Sequence, residues 1–352
     1  SIAFLTSVTF GYAQDINLAK KAIDAEQYEK AKSMLKSIVK ANPIDGRANF
    51  ILGNVYLIQS DIDSAKIEYQ RGLAGTDGSR LNHIGLGTID LDAGDNTAAE
   101  AKFALALKDT KKKDIEELIA IGRAYTYSTK PNFKKAIEVL NKAKLINPND
   151  AIVQLALGDA YIGDKNQNDA YAAYRNAFQF DPTLLRAKMQ LGVLLKGAKS
   201  FDEAIKSFNE VIAINPNYGP VYRELAETYY KWGRNKPSKS SEYMQTAIGY
   251  YEKYLSLTDH SLHSRMRHAD FLVLVKDYKA LEAEANKMVE MDKVNPRIFR
   301  YLGYSAYENG NAELAIKSLE SFISNPVNKV IAKDYLYLGT AKFKKGLSAD
   351  GL

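Results

Sequence analysis

A small residue recurs just after a Leu-like one along nearly the whole chain. It is Ala19, Gly53, Gly87, Gly122, Gly158, Gly192, Ala226, Ala269, Gly303 and Gly339, at spacings of 34, 34, 35, 36, 34, 34, 43, 34 and 36 residues. A period of this length marks stacked supersecondary units rather than one folded core. In most units a second small residue follows twelve positions on (Ala31, Ala65, Ala99, Ala170, Ala204, Ala315). Four further comes a large one: Leu35, Tyr69, Phe103, Tyr174, Phe208 and Leu319. Turn prolines close several units: Pro43, Pro148, Pro182, Pro216 and Pro296.

Each unit reads as two amphipathic helices. In 151–163 Leu157 and Tyr161 share a face with Gly158, and in 167–179 Ala170, Tyr174 and Ala177 share another. The first of these positions is small because two helices cross there and their backbones approach closely. Proline between units ends one helix and is tolerated only in the first turn of the next. A lone helix pair cannot bury its apolar faces, so the pairs stack around a continuous core.

Unit 151–184 carries Leu157-Gly158, Tyr161, Ala170, Tyr174, Ala177 and Asp181-Pro182. It resembles the L-G-x-x-Y…A-x-x-x-Y/F-x-x-A…P pattern of the tetratricopeptide repeat family, and the resemblance runs from about residue 15 to 345. It implies an all-α, right-handed superhelical solenoid of about nine helix pairs plus a terminal helix at 334–345. Two features depart from the pattern. Trp is absent from the usual first-helix position, and unit 262–295 has His268-Ala269 and Leu281 where Leu-Gly and Ala are expected. Two insertions also interrupt the period. One is a minor loop near Ser128–Asn132. The other, around 234–245, contains Pro237 and three Ser and reads as a loop or an extended second helix, with a tolerated surface loop as the expectation.

Composition excludes more than it identifies. The 352 residues are 46% hydrophobic and 26% charged, which suits a globular chain. The absence of Cys removes disulfides, thiolate nucleophiles and Cys-based zinc sites. Three of the four His, His260, His263 and His268, fall within nine residues, but their spacing puts His268 on a different helical face, so no metal site is expected. Glu116 and Glu117 are adjacent and face different directions, which makes no acid–base dyad. No nucleotide, zinc-protease or nucleophile-elbow motif occurs, so neither an enzyme nor a cofactor is expected. The net charge of +6 is spread along the chain, and Lys111-Lys112-Lys113 is flanked by acidic residues, so nucleic acid is not the expected partner.

Residues 1–13 form a segment of their own. Residues 2–13 carry no charge, and Gly11 and Ala13 occupy the positions a signal peptidase reads. The expectation is a signal-peptide remnant, a solenoid over 14–352, and an exported, periplasmic location. No other stretch approaches the ~18 apolar residues of a membrane span.

Candidate binding residues follow from helical phase. In each first helix, the positions three before, one after and four after the small residue face the concave groove. They include Phe50, Asn54 and Leu57 in unit two, Arg123 with Tyr127 beside it in unit four, and Asp159 in unit five. Unit seven contributes Arg223, Glu227 and Tyr230, and unit nine Arg300, Tyr304 and Tyr307. The groove thus turns from aliphatic to Arg and Tyr rich, the residues that binding hot spots enrich. Tyr304 and Tyr307 are expected to bind rather than to support folding. Some members of the family clamp a C-terminal carboxylate with Lys, Asn and Arg. Here Asn54 fits, but Phe50 and Gly85 replace its partners, so a chaperone-tail receptor is not expected. The resemblance implies a scaffold that binds a peptide or partner protein in its groove. The alternative is a structural component of a cell-envelope or secretion assembly, contacted through its convex face or ends.

Overall fold

A computed structural model describes residues 15–75, 77–108, 114–292, 295–326 and 328–346. The proposed signal remnant and the Lys111–Lys113 run lie outside these residues. Every regular element among them is helical. Nine antiparallel helix pairs follow one another: α1 (15–24) with α2 (Tyr28–Ala41), α3 (Gly46–Ile58) with α4 (Ile62–Gly72), α5 (Ser79–Ala93) with α6 (Asn96–Leu107), α7 (Glu116–Tyr127) with α8 (Phe133–Ile146), α9 (Ala151–Gly163) with α10 (Gln167–Phe180), α11 (Leu185–Gly197) with α12 (Phe201–Ile214), α13 (Gly219–Asn235) with α14 (Ser240–Leu257), α15 (Leu262–Val275) with α16 (Tyr278–Met291), and α17 (Pro296–Glu308) with α18 (Ala312–Ile323). A single helix, α19 (Ala332–Lys344), follows them.

The chain divides into two compact units, one ending at Asp259 and the other beginning at His260. The division falls at the start of the repeat whose signature is most eroded, 262–295. That repeat still forms both of its helices.

The small residues do what the period requires. A Cβ added to Gly53, Gly87, Gly122, Gly158, Gly192 or Gly303 would overlap Tyr69, Phe103, Leu140, Tyr174, Phe208 or Leu319, the large residue of the paired helix. Those large side chains are at most 4% exposed. Asp or Asn caps many helices: Asp45, Asp61, Asp95, Asn132, Asp150, Asn166, Asp277, Asn295 and Asn311 each accept a backbone N–H of the first turn. Each cap contributes about 1 kcal/mol.

The turn after the first helix is also periodic. Seven residues beyond the small one, Glu26, Ser60, Gly94, Lys165, Lys199, Lys276, Gly310 and Gly346 all have positive φ. The two repeats with insertions, four and seven, are the exceptions. In repeat seven the inserted residues do not form a surface loop. They lengthen α13 to 17 residues and α14 to 18, joined by a 3-10 turn at Pro237–Lys239. Aromatic packing stabilises the extension: Trp232 lies 4.6 Å from Tyr243, and Tyr229 stacks on Tyr250 at 5.6 Å.

Candidate functional site

The first unit curls back on itself. The α1–α2 turn bonds to repeat seven, about two hundred residues away. Arg223 Nη1 donates to Glu26 at 3.0 Å, and the Tyr254 hydroxyl donates to Glu26 at 2.6 Å. Gln27 donates to the Leu257 carbonyl, and the Glu29 N–H donates to Asp259. First helices from distant repeats therefore share one interior. Asp24 on α1 feels the charges of Arg186 on α11 and Arg123 on α7, and it faces Tyr218 at the start of α13.

Asp159 organises the middle of this interior. It is 9% exposed and accepts from the Tyr127 hydroxyl, the Tyr174 hydroxyl at 2.9 Å and Arg186 at 2.9 Å. Arg186 also donates to the Tyr127 oxygen. Burial opposes the charge on Arg186, but Asp159 and Tyr127 outweigh it and hold the guanidinium protonated. Desolvation, reinforced by Asp159, pushes the Tyr127 hydroxyl up to about 12. Even so, Tyr127 is 56% exposed, so its ring stays open to solvent while its hydroxyl is fixed.

A second network holds α11 against α13. Lys196, 5% exposed, donates to Glu224 at 2.6 Å and to Glu227 at 2.7 Å, and Arg223 donates to Glu224 at 3.1 Å. Burial raises the Glu224 carboxyl, but Lys196 and Arg223 outweigh it and bring the carboxyl below its ordinary range.

The residues expected to line the groove thus divide. Arg123, Tyr127 and Asp159 come together in the first unit, where Arg123 acts on the Tyr127 hydroxyl. Arg223 and Glu227 are spent on internal ion pairs rather than offered to a ligand. Tyr230 lies beneath the Arg234 guanidinium at 6.0 Å. Phe50 and Leu57 pack against the core of the first two repeats, and Asn54 accepts from the Tyr69 hydroxyl at 2.7 Å.

In the second unit the expectation for repeat nine is corrected. Tyr304 is 2% exposed, stacks on Tyr337 of α19 at 4.5 Å and donates to Asp334. Arg300 pairs with the same Asp334 through two 2.8 Å bonds and lies over Phe322. Tyr307 meets Tyr337 edge-on, with Lys344 over its ring. The stripe is real, but α19 covers it. The His cluster is likewise occupied: Arg267 donates to His263, and His268 lies 3.7 Å from Glu284.

Sequence reasoning missed Lys20, Asp24 and Arg186. Lys20 sits one after Ala19, at the same phase as Arg123 and Asp159, and was discoverable by the same rule. Arg186 sits six before Gly192, where repeats two and nine carry Arg47 and Arg297. That recurrence was the available signal.

Comparison with known proteins agrees with this architecture. The Tetratricopeptide repeat family matches residues 16–79 in one form and 120–150 and 185–218 in another. A TPR repeat-containing protein of Methanocaldococcus jannaschii is 23% identical over 90% of this chain and 51% of its own length. Cellulose synthase 1 operon protein C of Komagataeibacter xylinus is 24% identical over 60% of this chain and 16% of its own. The peroxisomal targeting signal receptor of Saccharomyces cerevisiae is 29% identical over 29% of this chain and 16% of its own. The chain therefore spans about half or less of the length of these relatives. Among solved structures, IFIT1 with Gppp-AAAA superposes with a TM-score of 0.50 at 16% identity, over 84% of this chain and 67% of that one, a likeness of fold alone. Period, helix pairing and the matched segments agree: the chain is a tetratricopeptide repeat protein.

Proposed function

We propose that the protein is an interaction scaffold whose first unit, residues 15–259, binds a segment of a partner protein along its inward face. The observation that carries this reading is Tyr127. Its hydroxyl is fixed by Asp159 and Arg186, yet more than half of the side chain is open to solvent. A rigid aromatic ring with a satisfied polar tip offers contact area at little entropic cost, as binding hot spots do. The repeat relatives, a targeting-signal receptor among them, support a role in protein interaction.

Photo-crosslinking tests it. A benzophenone amino acid at position 127 captures the partner in cells, whereas the same group at Leu145, 83% exposed, does not. Capture at 145 and not at 127 refutes the reading. It supports instead a structural component contacted from outside. One observation favours that second reading: α19 leaves Tyr335, Leu336 and Phe343 more than half exposed.

A further inference from the structure

The turn after the first helix has the same positive-φ backbone at eight positions but a different environment at one. Ser60, Gly94, Lys165, Lys199, Lys276, Gly310 and Gly346 are exposed there, as suits a hairpin tip. Glu26, at that position in repeat one, is 8% exposed. Left-handed backbone favours Gly over Glu, so it is the carboxylate that suits Glu26 to the site. The carboxylate reaches repeat seven, where it accepts from Arg223 at 3.0 Å and from the Tyr254 hydroxyl at 2.6 Å. The next residue departs as well. Asp61, Asp95, Asn132, Asn166, Asp277 and Asn311 cap their own second helices. Gln27 does not cap α2 and instead donates to the Leu257 carbonyl at 3.0 Å. Asp259 caps α2 from across the seam. It accepts from the N–H groups of Glu29 and Lys30, first-turn donors that have no acceptor within their own helix.

Seams between neighbouring repeats are built otherwise. Leu81 and Ile84 cluster with Ile119 and Ile121, and Tyr174 clusters with Leu191. Parting such a seam exposes apolar side chains to water, the main cost of opening a folded chain. Parting the bonds between repeats one and seven releases two carboxylates, a guanidinium, a phenol, an amide and backbone N–H groups. Water satisfies all of these, and a hydrogen bond exchanged for one to water costs little net. We infer that repeats one and seven form a clasp, a joint that opens and closes while every repeat stays folded, and that its opening widens access to the inward face. The joint stands on its own bonds. That it admits a partner rests on the reading of the inward face as the binding surface.

The sequence has no Cys, so spin labels attach only where cysteines are introduced, here in place of Ser33 on α2 and Glu252 on α14, both exposed. Double electron–electron resonance on the full chain reads the width of the seam. Native-state hydrogen exchange reads its bonds through the Glu29 and Lys30 amides. In the parent these two amides are expected to exchange about tenfold or more faster than those at 170–177 within α10, because the joint opens without unfolding the repeats. Glu26→Gln leaves Asp259 and its bonds in place, yet it is expected to speed exchange at Glu29 and Lys30 by about tenfold, since the joint opens as one. It should also add a longer label-to-label distance, as should Asp259→Ala, while 170–177 exchange as in the parent. Equal exchange at Glu29, Lys30 and 170–177 in the parent overturns the clasp. So does a Glu26→Gln protein unchanged in both readouts. Faster exchange at 170–177 in either variant overturns it too, because the seam then belongs to the cooperative core. If the clasp fails while the crosslink at position 127 persists, the inward face binds as a fixed groove. If the crosslink fails and the joint opens as described, the clasp stands and the binding reading falls.

Discussion

Adding one methyl group has opposite consequences at two glycines of the first unit. At Gly158 a new Cβ falls inside the ring of Tyr174, 2.5 Å from Cδ1 and 2.9 Å from Cζ. The ring cannot swing aside cheaply, because Tyr174 is 2% exposed and its hydroxyl is bonded to Asp159 at 2.9 Å. Helix propensity alone favours Ala over Gly by about 1 kcal/mol. Overpacking costs about 1–3 kcal/mol, and disturbing a hydrogen bond to a carboxylate costs about 1.5–3 kcal/mol. The net loss for Gly158→Ala is therefore about 1.5–5 kcal/mol, or roughly 3–20 °C in melting temperature for a unit of this size. Gly249, in the exposed middle of α14, has nothing within 4 Å of an added Cβ. Gly249→Ala should therefore gain about 1 kcal/mol and melt roughly 2–4 °C higher. Thermal unfolding followed by circular dichroism reads both. A Gly158→Ala protein as stable as the parent, or a Gly249→Ala protein less stable, refutes the claim that the period encodes helix-crossing contacts.

Two further expectations concern buried carboxyls. Burial raises the Asp24 carboxyl above its ordinary value, against the opposing pull of Arg186 and the Tyr218 hydroxyl. A raised carboxyl favours the fold below the unfolded pKa and opposes it as pH rises through the folded one. Asp24→Asn should therefore melt higher than the parent at pH 7 and like it near pH 3, as pH-dependent melts will show. Asp334 has the opposite sign. Burial raises it, but hydrogen bonds from Arg300, the Ile331 N–H and Tyr304 outweigh that and bring it below the ordinary 3.8. Its contribution is present above that value and is lost as pH falls through the lower folded one. Asp334→Asn should thus cost the second unit about 2–3 kcal/mol at pH 7, a difference that disappears in strong acid.

What was legible in the sequence follows the 34-residue period. Gly158 and Tyr174 are sixteen apart and Tyr161 lies one turn on, so pairing, crossing points and the inward face of each first helix could be read locally. Contacts between distant repeats could not. Nothing in a local pattern says that Glu26 will meet Arg223, because that bond depends on small rotations accumulated over six hairpins. The same gap misplaced Tyr304. Its phase was correct, but the phase does not reveal that Tyr337 and Asp334, one repeat later, close over it.

The most direct measurement is the affinity of the partner captured at position 127 for Tyr127→Ala, compared with Leu145→Ala. Tyr127→Ala removes an exposed ring, one hydroxyl donor to Asp159 and one acceptor of Arg186, so folding should lose about 1.5–3 kcal/mol and the variant is assayed below its melting transition. If the inward face of the first unit binds the partner, Tyr127→Ala weakens it by about 2 kcal/mol, roughly thirtyfold, and Leu145→Ala leaves it unchanged. Unchanged affinity for Tyr127→Ala, with the protein folded, would contradict the account.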